Sequence, residues 1–255
     1  MLTGALALGI GWQLHVAALS APQHPLFHFA VAQGLLCYGC YSLFTGLGNL
    51  LPFKPTTNGG RLLTLLQGGP AWQRQAALLH LTSASYVQQQ RPRDWPATEL
   101  TKLLGYTDQS AEDCSAHYLA YAHALDCQDT NAARHHLQQA IDQRHLADKK
   151  MARVLYAEAA YVAAIITQRS QDAQHWLQRV IEVAPLAAED AFTQAVVAYS
   201  CQQYEQATQL LHQCQLRLDA LPTSGIRTQG QERLNEVLAL VAQQQGTEQA
   251  PGSLE

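Results

Sequence analysis

Charge is missing from the first 53 residues of this 255-residue chain, because no Asp, Glu, Lys or Arg precedes Lys54. The 36 charged residues, 16 basic and 20 acidic, make up 14% of the sequence, below the roughly 25% that is usual for soluble domains. A net charge of −4 excludes a polycation that binds nucleic acid through its phosphates. The confinement of all charge to one segment predicts a protein of two parts.

Several motifs of catalysis and binding are also absent. The sequence contains no phosphate-binding Gly-rich loop, no Gly-x-Ser-x-Gly and no His-Glu-x-x-His. Its six cysteines are not spaced as a zinc ribbon or finger would require. No alternating strand pattern occurs, and Asn58-Gly59 is the only hairpin signal, so the sequence predicts an all-α fold.

The uncharged segment contains two apolar runs, Leu2 to Leu19 and Leu26 to about Phe53, separated by the polar residues 20–25. Each run is close to the roughly 20 residues that a helix needs to cross a bilayer. Two transmembrane helices are therefore the simplest interpretation. A buried hairpin of a soluble protein and a signal peptide cleaved after Ser20 are the alternatives, although no basic residue precedes the first run as a signal requires.

All charged residues between the second run and the first acidic residue, Asp94, are basic. They are Lys54, Arg61, Arg74, Arg91 and Arg93. The positive-inside rule then predicts an integral membrane protein whose long C-terminal part is cytoplasmic. With two crossings, the N-terminus is cytoplasmic as well.

The end of the second apolar run carries the most informative motif. From Asn49 the sequence reads Asn-Leu-Leu-Pro-Phe-Lys-Pro-Thr-Thr-Asn-Gly-Gly-Arg-Leu-Leu. It resembles the late Asn-Leu-Leu-Pro…Asp-Gly-Gly-Arg motif of the site-2 protease family, which are intramembrane zinc metalloproteases. In that family the Asp is a zinc ligand and completes a site begun by an upstream His-Glu-x-x-His helix. The matching positions here are Asn49, Pro52, Asn58, Gly59 and Gly60.

Two departures from the family pattern bear on activity. Asn58 occupies the position of the ligating Asp, and Zn²⁺ normally takes Cys, His or carboxylate ligands. The two His ligands and the general base of His-Glu-x-x-His are missing from the chain. The sequence therefore predicts no catalytic residue, no metal ligand and no cofactor, and zinc is implied only if the upstream ligands of the family exist. The chain is then either a degenerate relative or one that starts late.

Other potential ligands have structural explanations. His24 and His28 are four residues apart, but Pro25 lies between them and no Glu does, so helix capping or an interfacial position is predicted. His15 is expected to face a neighbouring helix. Cys37 and Cys40 are expected to pack as small apolar side chains.

A helical template recurs three times in the second half of the chain. It reads Ala133-x-x-x-Leu137-x-x-Ala140, Ala173-x-x-x-Leu177-x-x-Val180 and Ala207-x-x-x-Leu211-x-x-Cys214, with spacings of 40 and 34 residues. Another apolar helix precedes each copy. Pro185 and the segment from Tyr204 to Ala207 resemble the tetratricopeptide repeat, whose period is about 34 residues. The resemblance implies stacked helical hairpins that bind proteins; an irregular helical bundle without a binding role is the alternative.

These observations predict four segments. Residues 1–66 form a membrane domain that is a fragment of a site-2-protease-like fold, and 67–110 form a helical linker region. Residues 111–245 form a tetratricopeptide-like helical domain that a capping box of Ser110 and Asp113 begins. Residues 246–255 form a disordered tail.

The predicted function follows from these segments. The protein is expected to resemble the C-terminal part of a site-2-type protease, to be inactive as it stands, and to bind a protein partner through its cytoplasmic helical repeats. Two alternatives remain open. One is an active intramembrane metalloprotease whose zinc-binding helix lies upstream of Met1, and the other is a membrane-tethered helical-repeat scaffold. The predicted partners are the lipid bilayer and a protein, not nucleic acid.

Overall fold

The structure, a computed structural model, describes residues 2–20, 25–51, 58–220 and 223–249. All regular secondary structure in these residues is helical, which confirms the all-α prediction. The α-helices are α1 Leu2–Ser20, α2 Pro25–Leu50, α3 Asn58–Gln67, α4 Gly69–Tyr86, α5 Ala97–Leu104, α6 Ala111–Asp126, α7 Thr130–Asp142, α8 Lys149–Tyr161, α9 Ser170–Val183, α10 Ala191–Ser200, α11 Tyr204–Ala220 and α12 Gly225–Gln249. A π-helical turn, Val162–Ile166, extends α8.

The chain divides between Trp72 and Gln73 into two compact units, called the N-terminal and C-terminal units below. The segment 67–110, predicted as a linker, lies mostly in the C-terminal unit. The predicted disordered tail begins too early, because α12 continues through Gly246 to Gln249. A single Gly costs a helix about 1 kcal/mol and does not by itself end it. Residues 250–255 lie outside the described residues.

In the N-terminal unit, α1 and α2 pack as an antiparallel hairpin. A Cβ added at Gly4 would contact Ser42, and one added at Gly11 would lie 3.0 Å from Cβ of Leu35, so both glycines permit close approach of the two helices. The residues of this hairpin described as buried are all Gly or Ala: Gly4, Ala7, Gly11, Ala32 and Gly39. Small residues thus form the interface between the two helices.

Many of the large apolar side chains described in this hairpin are exposed. Phe44 is 81% exposed, Tyr41 is 70% exposed and Trp12 is 62% exposed. Among the described residues, one stretch, Ala30–Leu50, is long and apolar enough to cross a membrane. A buried core helix or a signal sequence would meet the same criterion. The hairpin therefore has the reverse of the usual globular pattern, with small residues inside and large apolar residues outside.

The C-terminal unit contains three helical hairpins in succession, α6–α7, α8–α9 and α10–α11. In the second helix of each hairpin, the first buried residue is a fully buried alanine: Ala133, Ala173 and Ala207. Each hairpin turns at a glutamine with positive φ, namely Gln128 (62°), Gln168 (53°) and Gln202 (63°). These turn residues recur at the same intervals as the sequence template, so the repeat in sequence corresponds to a repeat in backbone conformation.

Two of these turns have the same hydrogen bonds. The amide of Asp129 donates to the carbonyl of Ala124, and the amide of Gln203 donates to that of Ala198, both at 2.9 Å. These six-residue closures are typical of the Schellman motif, which ends a helix at a left-handed residue that is usually Gly. Gln128 fills that position in the first of these turns.

The predicted capping box at Ser110 and Asp113 is confirmed, and it participates in a larger ion cluster around Arg74. Arg74 is 1% exposed, and its Nη2 lies 3.0 Å from both Asp108 and Glu112. Its Nη1 donates to Asp113. Because Arg74 lies on α4, one cation links that helix to the start of α6.

Replacement of Arg74 tests this link. Arg74→Met should lower the free energy of unfolding of the C-terminal unit by about 3–5 kcal/mol, because Asp113, 3% exposed, would remain as an uncompensated buried charge. Arg169→Met is the control, since Arg169 and Asp172 form an exposed pair whose loss should cost under about 1 kcal/mol. The measurement is urea unfolding of the full chain in mild detergent, followed by circular dichroism. Equal losses in the two variants would contradict the assignment.

Candidate functional site

The protease-like motif forms the connection between α2 and α3. Asn49 is exposed in the last turn of α2, and Asn58, Gly59 and Gly60 are the first three residues of α3. Pro52 lies outside the described residues. Gly59 and Gly60 are buried. The structure thus places the Gly pair against the end of α2.

Steric contact explains why position 59 requires glycine. A Cβ added at Gly59 would overlap the backbone carbonyl of Leu50 and approach the carbonyl carbon of Leu51 within 2.9 Å. Backbone atoms at this separation leave no room for any other residue. The Gly of the motif therefore has a structural function that does not depend on a metal.

The residues at this junction do not fit a zinc ion. The position of the family's Asp ligand holds the neutral Asn58, and zinc sites are built from Cys, His or carboxylate. Nowhere in the described part of the chain do three or more His, Cys, Asp or Glu side chains come together as a metal site.

The other candidate ligands are dispersed. His15 is half-buried on α1, with its ring centroid 6.2 Å from that of Trp12. His24 lies outside the described residues, whereas His28 belongs to α2. Cys37 and Cys40 are exposed rather than packed, because the interface between α1 and α2 is formed by smaller residues on another face of α2. The packing predicted for these two cysteines is therefore wrong.

In the C-terminal unit, Glu158 and Arg233 form an ion pair to which several helices contribute. The two guanidinium nitrogens of Arg233 donate to the two carboxylate oxygens of Glu158 at 3.2 and 2.8 Å. The hydroxyl of Tyr121 donates to the same carboxylate at 2.6 Å. The guanidinium also stacks on the ring of Tyr161, 3.8 Å from its centroid. Side chains of α6, α8 and α12 thus meet at one charge pair.

Burial changes the acidity of the groups around this pair. Burial raises the pKa of the Tyr121 hydroxyl well above its usual value, and the charge of Glu158 raises it further. Tyr121 is therefore protonated at neutral pH and remains a hydrogen-bond donor to the carboxylate.

Two cavities lie beside Arg233. The larger, about 590 Å³, lies between α10, α11 and α12, and its walls are mainly apolar, with Phe192, Cys214 and Leu218 among them. Burial raises the pKa of the Cys214 thiol to about 11, so this side chain is uncharged at neutral pH. The smaller cavity, about 330 Å³, has a more polar lining than the larger one and includes Gln229 and Glu232. The larger cavity has the size and the apolar lining of a binding site for a side chain of a partner.

A pair of histidines connects α6 and α7. Nδ1 of His117 lies 3.3 Å from Nδ1 of His136, and the ring centroids are 5.6 Å apart. The two rings therefore face each other end to end, which is the geometry of an N–H···N hydrogen bond between a donor and an acceptor. Burial lowers the pKa of both imidazoles, and for His136 the neighbouring His117 lowers it further. His135 is exposed beside them, as its position on the helix predicts.

Sequence analysis missed the residues at the centre of the C-terminal unit. Glu158 and Arg233 are 75 positions apart, and no pattern in the chain pairs them. No local signal marks Arg233, because its neighbours Gln231, Glu232 and Asn235 are polar. The pairing therefore becomes visible only in three dimensions.

Comparison of the chain with protein-family models, with curated proteins and with solved structures found no match.

The histidine pair predicts a loss of stability on mild acidification. Folded pKa values below the unfolded value near 6.5 mean that the stabilisation is complete above about pH 6.5 and is lost as pH falls below it. The wild-type chain should lose unfolding free energy between pH 7.5 and pH 5, and His136→Gln should lose less of it. Ordinary carboxyl groups titrate below this range and so do not contribute to the difference. His175→Gln, at an exposed position of α9, is the control. A pH profile that is the same in wild type and in His136→Gln would contradict this prediction.

Proposed function

We propose that the protein is a membrane-anchored scaffold in which an apolar helical hairpin holds a unit of stacked helical hairpins that binds a protein partner. The observation that carries the proposal is the reversed pattern of α1 and α2. A hairpin whose described buried residues are all Gly or Ala, and which exposes Phe44, Tyr41 and Trp12, would be costly in water. Lipid chains would cover these side chains, and small residues are typical of helix interfaces within membranes.

The dimensions of the hairpin support two crossings. The stretch Ala30–Leu50 has 21 residues, which corresponds to about 32 Å of helix, and α1 has 19 residues, or about 28 Å. Both values are close to the roughly 30 Å thickness of the hydrocarbon layer. Neither helix contains a charged residue.

Orientation depends on fewer charges than the sequence suggests. Arg74 is buried among carboxylates, and Arg91 and Arg93 both pair with Asp126. Lys54 and Arg61, closest to α2, remain as the charges that favour a cytoplasmic C-terminal unit. The proposal keeps this orientation, with both termini in the cytoplasm.

The repeated hairpins support a binding function for the C-terminal unit. Their buried alanines and left-handed glutamines recur at intervals of 40 and 34 residues, and the second interval equals the tetratricopeptide period. Stacked hairpins of this kind present a continuous surface to partner proteins. The apolar cavity beside Arg233 is the part of this surface that is best suited to receive a side chain of the partner.

Descent from the site-2 protease family is part of the proposal. It is supported by the motif from Asn49 to Gly60 and by the close approach of Gly59 to Leu50. Peptidase activity is not proposed, since the sequence contains no His-Glu-x-x-His and holds Asn58 in the ligand position. The alternative of an active protease with further ligands upstream of Met1 would require zinc-dependent cleavage of a membrane substrate.

The membrane anchor is tested by charge substitution on α2. The wild-type chain should stay in the membrane fraction after alkaline carbonate extraction, whereas Tyr41→Arg combined with Phe44→Arg should release it. Each Arg near the middle of a crossing helix costs about 2.5–3.5 kcal/mol. Leu216→Arg is the control, because Leu216 is 74% exposed in the C-terminal unit. Extraction of the wild-type chain by carbonate would refute the anchor.

Partner binding is tested by filling the cavity beside Arg233. A Cβ at Gly230 would have only Leu218 within 4 Å, at 3.7 Å, so Gly230→Leu should occupy the cavity without loss of stability. We expect one partner protein to cross-link equally to the wild-type chain and to Gly230→Ala. The amount that cross-links to Gly230→Leu should be at least about tenfold lower, which corresponds to a loss of about 1.4 kcal/mol in binding free energy. Quantitative mass spectrometry of cross-linked membranes measures this. Identical cross-linked proteins in all three chains would exclude the cavity as the site.

A further inference from the structure

Helix α3 carries a set of apolar residues that the proposed function does not use. Gly59, Leu62, Leu63 and Leu66 are spaced i, i+3, i+4 and i+7, which places them on one face of the helix. The three leucines on this face are exposed by 48%, 41% and 76% in chain order. An exposed apolar face on a ten-residue helix calls for a covering surface.

The contact of Gly59 shows which way this face points. Gly59 packs directly on the carbonyl of Leu50, the last residue of α2. Because Leu62, Leu63 and Leu66 share the face of Gly59, they lie on the side of α3 that is turned toward the end of α2. If α2 crosses a bilayer and ends at Leu50, that side of α3 is the one that faces the bilayer.

The charge of the surrounding sequence is compatible with an anionic lipid surface. Lys54 precedes α3 and Arg61 lies within it, whereas no acidic residue occurs before Asp94. Basic residues next to a membrane-spanning helix are attracted to anionic headgroups by about 1 kcal/mol each. A protein partner would explain the exposed leucines as well, but it would not explain why their face continues from the end of the membrane-spanning helix.

We propose that α3 lies along the membrane surface, with Leu62, Leu63 and Leu66 inserted at the boundary between headgroups and acyl chains of a bilayer that contains anionic lipid. This inference rests on the proposed membrane anchor. A helix of ten residues is only marginally stable in water, so lipid contact along this face also stabilises the helix itself.

The experiment is hydrogen–deuterium exchange of the full chain in vesicles of phosphatidylcholine and phosphatidylglycerol. The amides of α3 should be protected in the wild-type chain. In the variant Leu62→Ser, Leu63→Ser, Leu66→Ser they should exchange at least about tenfold faster, because the helix loses its lipid contact. Leu216→Ser is the matched control, since Leu216 and Leu66 are similarly exposed at 74% and 76%. It should leave exchange in α3 unchanged.

The amides of α1 and α2 in the same experiment separate the two proposals. If they are protected while α3 exchanges equally fast in wild type and variant, the surface helix is wrong and the anchor stands. If they are unprotected and the chain does not sediment with vesicles, the anchor is wrong and this inference fails with it. If the protection of the α3 amides rises with the number of chains per vesicle, the leucines contact a second copy of the chain. That result would show that the proposed lipid contact is wrong.

Discussion

The half-buried pair of Glu158 and Arg233 is the interaction that ties the last helix of the C-terminal unit to the helices before it. Its two hydrogen bonds join α8 to α12, and Tyr121 adds α6 through a third. Burying two charges costs several kcal/mol per ion, so such a pair persists only with good geometry and satisfied neighbours. The two nitrogens of the arginine fork bind both carboxylate oxygens, and the guanidinium stacks on Tyr161, whereas a lysine could not form this two-fold contact. The pair thereby fixes α12 against the preceding hairpins.

The two units follow opposite rules of packing within one chain. The C-terminal unit buries alanine, leucine and valine and satisfies its buried charges in pairs, as proteins in water do. The N-terminal unit has no ionic groups in α1 or α2, and it exposes Phe44, Tyr41 and Trp12. The proposed lipid environment would make this second arrangement favourable. On that proposal the two packing rules correspond to two different solvents.

The periodic features of the fold could be predicted from sequence, and the pairings between distant residues could not. The buried positions Ala133, Ala173 and Ala207 and the cap at Ser110 follow local rules of spacing and hydrogen bonding. The partners of Arg74 are more than 30 positions away, and nothing local distinguishes a buried arginine from one that interacts with a membrane surface. The junction after α2 follows the same rule. Its residues form a motif that can be read from the sequence, but only the structure shows the contact of Gly59 with Leu50 that explains the glycine.

The junction motif combines two requirements that this chain separates. A zinc ligand requires a carboxylate at position 58, whereas the turn from α2 into α3 requires a residue without a side chain at position 59. The chain meets the second requirement with Gly59 and fails the first with Asn58. Any side chain at position 59 would displace the start of α3 from the end of α2, whichever residue stands at position 58. The need for glycine at position 59 therefore comes from the fold itself and does not depend on the chemistry of position 58.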